Sequence, residues 1–467
     1  MKKAEITVFL SLVFVLIVSF VLGILQISVI HTSKNLSRLT TDRAVFSVFG
    51  EYQTRLLEDY YIFAIDGSYG SGEFSQDKIL GRMYYYGGDG TKHEITGIQF
   101  LTDNGGQSFR EQALEYMEET YGIGLVHDLT GLTADWETQE IQAEEIGKKE
   151  ETILADLENL KESAESLSEE TVEKPGGEGE DIEGSPFTCI EQIEKAGILS
   201  VVMPKDMELS EKSIPLDSQV SKRELLTGSG SFPMRQGMNG ISERLLFDEY
   251  ILNSFTNAAD TEEKNRSLSY EVEYILSGKA SDKDNLEAVL MKIFLIRMAL
   301  NYAYLLGDSG KKAEAEALAF ALSVILLIPE GTEILKQLIL LAWAAGESVA
   351  DIRTLLLGGR VPLIKTAENW RISLPELLVL GDGSEQLQGA DTQGGISYKE
   401  YLRALLFLTN QNETVMRSLD RIEENLVSEH GLNFFRADQC VTKIEMKNIA
   451  GIFGGMEYTY PVYFGYE

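Results

Sequence analysis

Histidine and cysteine are scarce in this sequence, with four of one and two of the other among 467 residues. His31, His93, His127 and His430 are scattered along the chain, which leaves little for a histidine-based metal centre. Cys189 and Cys440 are far apart in sequence. They pair only if the fold brings them together in an oxidising compartment, and the alternative is two buried free thiols. Positive charge is short as well: 41 Lys and Arg stand against 74 Asp and Glu, a net charge of −33. Such a surface repels phosphate backbones and argues against nucleic acid as a partner. Also missing are G-x-S-x-G, G-x-x-x-x-G-K-[ST], H-E-x-x-H and C-x-x-C. No pattern implies a cofactor or a metal.

What the chain does have is a long apolar opening, "MKKAEITVFLSLVFVLIVSFVLGILQISVI". From Val8 to Ile30 only Ser11, Ser19, Gln26 and Ser28 interrupt the apolar run, and no charge does. A bilayer core takes about 20 apolar residues as a helix, whereas a signal-peptide core is about 7–15 and ends at a small-x-small site. The run therefore reads as an uncleaved anchor through Val8, Phe9, Leu10, Leu12, Val13, Phe14, Leu16, Ile17, Phe20, Leu22 and Ile24. Lys2 and Lys3 precede it, so the N-terminus is expected in the cytoplasm and the rest, from about His31, outside the membrane.

Beyond the anchor the pattern predicts a mainly α, α+β protein. Leu36, Leu39, Phe46, Phe49, Leu56 and Tyr60 recur at helical spacings, which predicts one helix running from the membrane to about Tyr60. Aromatic and β-branched residues around a Gly-Asp-Gly turn in 78–104 predict a hairpin, and a helix follows over 107–124. Ile141, Ile146, Ile153, Leu157, Leu160 and Leu167 form an imperfect stripe on a solvated acidic helix. That helix dissolves into "EKPGGEGEDIEGSP", and 137–183 holds 17 acids against 4 basic residues. The stretch on to about Gly240 reads as irregular. From Ile241 a helical bundle is predicted, with Ser281 as an N-cap and Gly307 and Pro329 as stops. The apolar runs around Phe320 and Leu338 are expected as buried core helices, and the tail from Cys440 as strand joining the hairpin near Tyr85. The resulting segments are 1–30 (cytoplasmic tip and anchor), 31–66 (juxtamembrane helix), 67–131 (small α+β region), 132–188 (acidic helix and linker) and 189–467 (helical domain with C-terminal strands).

Candidate chemistry is thin. "GDSGK" (Gly307–Lys311) has the look of a serine-protease loop but falls between two helices, where a turn is the simpler reading. "GDGSEQLQGAD" (Gly381–Asp391) has the oxygens for a weak calcium site but misses the calcium-loop spacing, and a solvated loop is the simpler reading. Glu347 and Asp351 stand one helical turn apart, with Arg353 close and Arg360 and Lys365 following. Paired carboxylates beside cations can do acid–base work, and they can equally form a buried polar seam that sets helix register. The seam is the favoured reading. The tyrosines Tyr60–Tyr61 and Tyr84–Tyr86 read as packing residues.

The opening helix, with "DRAVFSVFGEYQTRLLEDYYIFAIDG" after it, resembles an uncharacterised bacterial family related to the TadE/TadG group of the Tad (tight adherence, Flp-type) pilus and secretion systems. "DEYILNSFTN", "AWAAGESVADIRTLLLGGRVPLIKTAENW" and "SYKEYLRALLFL" are similar to the same family's C-terminal half; the acidic middle carries no likeness. The resemblance implies a single-pass, non-enzymatic, pseudopilin-like accessory protein, with membrane lipid and other pilin-like proteins as partners. One departure stands out. With Ala4 before a prepilin-peptidase cut, Phe9 occupies the position where the pilin pattern has Glu. The rival expectation is a cell-surface hydrolase that uses Glu347 and Asp351.

Overall fold

The computed structural model describes residues 2–121, 186–204, 207–235, 240–260, 266–325, 331–380 and 388–466. The expected acidic helix and its linker fall outside these residues, as do Pro329 and most of the loop that begins at Gly381. The chain divides into two compact units. The first takes Met1–Tyr116, Gln219–Met238 and Ser418–Glu467, and the second takes Met117–Ser218 and Asn239–Arg417. The chain from 189 onward is mainly helical with C-terminal strands, and those strands belong to the sheet of the first unit.

In the first unit, α1 runs from Lys2 to Phe49. Its N-terminal part is long and apolar enough to cross a membrane, with a mean hydropathy of 3.1 in its most apolar window, and none of that window is covered by protein. The helix stops at Gly50 and does not continue to Tyr60. Gln53 caps a separate short helix, α2 (Thr54–Tyr60). The stripe read from the sequence also divides. Phe49 is buried, while Leu36, Leu39 and Phe46 are 62%, 67% and 68% exposed. The face that packs inward is Ala44, Val45, Val48 and Phe49, on a core that includes Ile98, Phe100, Val441, Ile444 and Met446.

The expected hairpin near Tyr85 is replaced by α3 (Gln76–Met83), capped by Ser75, and one π-helical turn over Tyr84–Gly88. Ile79 and Met83, one helical turn apart, both join the core, so the helical period overrides the β-propensity of the tyrosine run. The strands are β1 (Ile65–Asp66), β2 (Thr91–Phe100), β5 (Cys440–Ile452) and β6 (Met456–Gly465). Antiparallel β5 is central, with β2 on one edge and β1 and β6 on the other. The β5–β6 turn places Gly454 and Gly455 at φ +84° and +74°, which glycine adopts without steric cost. Helix α4 (103–121) agrees with the helix read from the sequence.

The second unit is a helical bundle: α5 (Thr188–Ala196), α6 (Leu199–Val202), α7 (Ile241–Ser254), α8 (Glu271–Ser277), α9 (Asp282–Gly307), α10 (Ser309–Ile325), α11 (Thr332–Leu356), α12 (Leu374–Val379) and α13 (Tyr398–Leu408). A two-residue ladder, β3 (Arg360–Val361) with β4 (Ile396–Ser397), joins it. Helix α14 (Gln411–His430) begins in this unit and ends in the first. Two short helices, α5 and α6, occupy part of the stretch read as irregular. Ser281 accepts from the Asp284 amide and caps α9, and α9 ends at Gly307. Of "GDSGK" only Asp308 stands between the two helices, and it accepts from the amides of Gly310 and Lys311 in the first turn of α10. Helix α11 is buried from Ile339 to Leu356. Helix α10 is not a buried core helix: Phe320 and Val324 are 63% and 53% exposed. Its buried side is Ala315, Ala319 and Ser323, residues small enough to bring the helix close to its neighbour.

Candidate functional site

Among the described residues, four fully buried charged side chains meet inside the second unit, where α9, α11, α13 and the chain after β3 converge. Glu347 and Asp351 share one face of α11, a turn apart. Lys365 reaches both, with Nζ 2.5 Å from Glu347 Oε1 and 2.7 Å from Asp351 Oδ1, and its third bond goes to the Asn369 carbonyl at 3.3 Å. From α9, Arg297 donates to Asp351 Oδ2 through Nε at 3.1 Å and Nη2 at 2.6 Å. Its Nη1 donates to the Pro362 and Leu363 carbonyls at 2.8 and 3.1 Å. Glu347 Oε2 also accepts from the Ile372 amide at 2.8 Å. All four charged side chains have no solvent-exposed surface.

Two cations thus meet two carboxylates in a neutral, hydrogen-bonded cluster. Burial pushes Glu347 above the ordinary carboxylate range, with the Lys365 charge pulling against it. Burial alone would lower Arg297, and the Asp351 carboxylate more than offsets it, so the guanidinium is held more firmly protonated than usual. Chemically the arrangement is a clamp. It has no open face for a substrate, and removing one member strands a buried charge, at a cost of about 3–5 kcal/mol.

The cluster excludes two of the five residues expected in it. Arg353 points elsewhere, donating to the Val201 carbonyl at 2.9 and 2.5 Å and so tying α11 to α6. Arg360 is largely exposed: its backbone amide donates to Asp391, and its guanidinium to the Gly395 carbonyl and to Glu400 at 3.1 Å. The member missed by sequence reasoning is Arg297. Its signal was a cation inside the apolar run "IFLIRMALNY", where a buried charge must find a partner. Lys311, in the first turn of α10, lies 4.4 and 4.9 Å from the ring centres of Trp343 and Trp370. Both indole N–H groups donate to the Ile372 carbonyl at 2.7 Å. Cys189 and Cys440 are buried free thiols in different units, so no disulfide joins them. Burial raises the Cys189 thiol to about 11, with Arg353 opposing.

The first unit carries a cleft of about 440 Å³ whose walls include Tyr52, Tyr69 and Phe434 with the carboxylates of Glu51 and Asp66. Both carboxylates are engaged. Arg82 and Tyr86 donate to Glu51, and the amides of Ser68 and Gly70 donate to Asp66.

The model of a protein family of unknown function, DUF5702, matches residues 176–452, more than half of the chain. The chain belongs to DUF5702. No curated protein and no solved structure matches it. The DUF5702 match includes every residue of the buried cluster and runs through strand β5 to its end at Ile452. The apolar N-terminal helix lies outside the match, so in this DUF5702 protein that helix is joined to the family region by the fold of the first unit.

Proposed function

We propose that this DUF5702 protein is a non-enzymatic, membrane-anchored extracytoplasmic component of a Tad-like pilus or secretion assembly that docks through apolar helix faces. The observation that carries this reading is the behaviour of α1. Every described side chain from Glu5 to Thr40 is exposed or half-buried, although Val8–Ile30 is almost wholly apolar. At 1.5 Å per residue that run spans roughly 34 Å, enough for a hydrocarbon core. Beyond it, Leu36, Leu39 and Phe46 continue an exposed apolar stripe while the opposite face packs on the sheet. Exposed apolar side chains in line with a span favour another helix as the partner. The lysines ahead of the span favour a cytoplasmic N-terminus. The Tad setting rests on the resemblance of the opening helix and the C-terminal motifs. The hydrolase alternative draws no support from Glu347 and Asp351, which are buried and already paired.

A photo-crosslinking residue placed at Leu36, Leu39 or Phe46 in intact membranes should trap a partner helix, whereas one at buried Val45 should not. Absence of adducts from all three exposed positions, with a monomeric protein after mild solubilisation, overturns the reading.

A further inference from the structure

We infer that Asp59, Glu429 and His430 form a binding site for a divalent transition-metal ion. Asp59 comes from α2, and Glu429 and His430 from the last turn of α14, all within the first unit. One ligand atom from each lies within 4.8 Å of the other two. One imidazole and two carboxylates are a donor set suited to zinc and its neighbours, for which three protein ligands plus water is a recurrent arrangement.

Two features hold these donors in place. Tyr60, beside Asp59, is buried and accepts a hydrogen bond at 2.9 Å from buried Asn425, which locks α2 to α14 one turn before the ligands. Gly431 at φ +67° ends α14, its amide bonding the Val427 carbonyl while the Leu432 amide bonds that of Leu426, so the backbone of His430 is fixed. Carboxylate density at a helix C-terminus, where carbonyl dipoles add negative potential, favours a cation.

His430 Nε2 and Asp59 Oδ2 stand 2.6 Å apart, sharing a proton. With metal–ligand bonds of about 2.1 Å, donors around one ion sit roughly 3.0–3.4 Å apart. The two side chains therefore open slightly as an ion replaces the shared proton, and Glu429, which is exposed, swings in as the third ligand.

The test is equilibrium dialysis of the metal-stripped full chain in detergent against Zn²⁺, with excess Mg²⁺ to occupy the acidic surface. Wild type should take up one Zn²⁺ per chain, and H430Q and E429Q should each bind it roughly tenfold or more weakly. Glu429 is exposed, so E429Q leaves the buried core of the first unit unchanged. Zn²⁺ uptake by wild type no stronger than by both variants overturns the site and leaves a plain His–Asp hydrogen bond.

Discussion

Replacing Lys365 by Met tests the clamp most directly. The aliphatic stem is nearly conserved, so the change removes a charge and three donors with little loss of packing. Asp351 keeps Arg297 at 2.6 Å. Glu347 loses its cation and keeps only the backbone amides of Arg371 and Ile372 as donors. A carboxylate stranded in this way takes up a proton. From an unperturbed value of 4.5, protonating it at pH 7.5 costs about 4 kcal/mol at 1.36 kcal/mol per unit. That agrees with the range of about 3–5 kcal/mol for broken buried pairs. At pH 5 the same step costs only about 0.7 kcal/mol. The sign is set by a folded-state pKa raised above the unfolded one: stability is intact below the unfolded value and is lost as pH rises through the folded one. The deficit of K365M against wild type at each pH should therefore grow from about 1 to about 4 kcal/mol between pH 5 and 7.5. Urea unfolding of the full chain in detergent, followed by tryptophan emission, reads this out, since Trp343 and Trp370 lie 5.9 Å apart in the same unit. Adding Glu347→Gln should remove the pH dependence. A K365M deficit under about 1 kcal/mol at pH 7.5, or one that does not change with pH, refutes the reasoning.

Glu273 is wholly buried, and burial lifts it to about 7 although Tyr398 donates to it at 2.7 Å. Its contribution is complete below the unfolded value of about 4.5 and falls away through pH 7, by roughly 3 kcal/mol, so E273Q should flatten the pH dependence of melting between pH 5 and 8; equal slopes would contradict the assignment. A methyl group on Gly389 would meet Asp351 Oδ1 at 2.7 Å and Asp351 Cα at 3.0 Å. Gly389→Ala should cost about 1–3 kcal/mol in the same unfolding assay, while Gly307→Ala, with nothing within 4 Å, should cost nothing.

Much of the helical content could be read because it is local. Ser281 caps α9 as its residue type demands, and the turn at Gly307 falls where the periodicity breaks. The Glu347–Asp351–Lys365 grouping was also legible, since two of its members share a helix face. Arg297 was not: its partner stands 54 residues away, and nothing in one helix specifies which face of another it meets. The hairpin near Tyr85 failed for a related reason. The partner of β2 is β5, and the intervening chain carries no trace of that register. Leu36, Leu39 and Phe46 show a different limit. Their spacing marks an apolar stripe, but hydrophobicity alone cannot say whether a stripe faces its own core or something outside it.

The central place of β5 has a consequence for how the protein is made. Phe100 pairs with Val441, about 340 residues later, with the whole bundle synthesised in between. At roughly 5–20 residues per second, β2 waits about 20–70 s for its neighbour. The first unit, whose chain begins with α1, is thus the last to close, and until the final strands emerge β2 presents an open β edge. A nonsense codon near residue 438 would spare the bundle and leave the sheet of the first unit permanently unfinished, a form suited to capture by quality-control proteases.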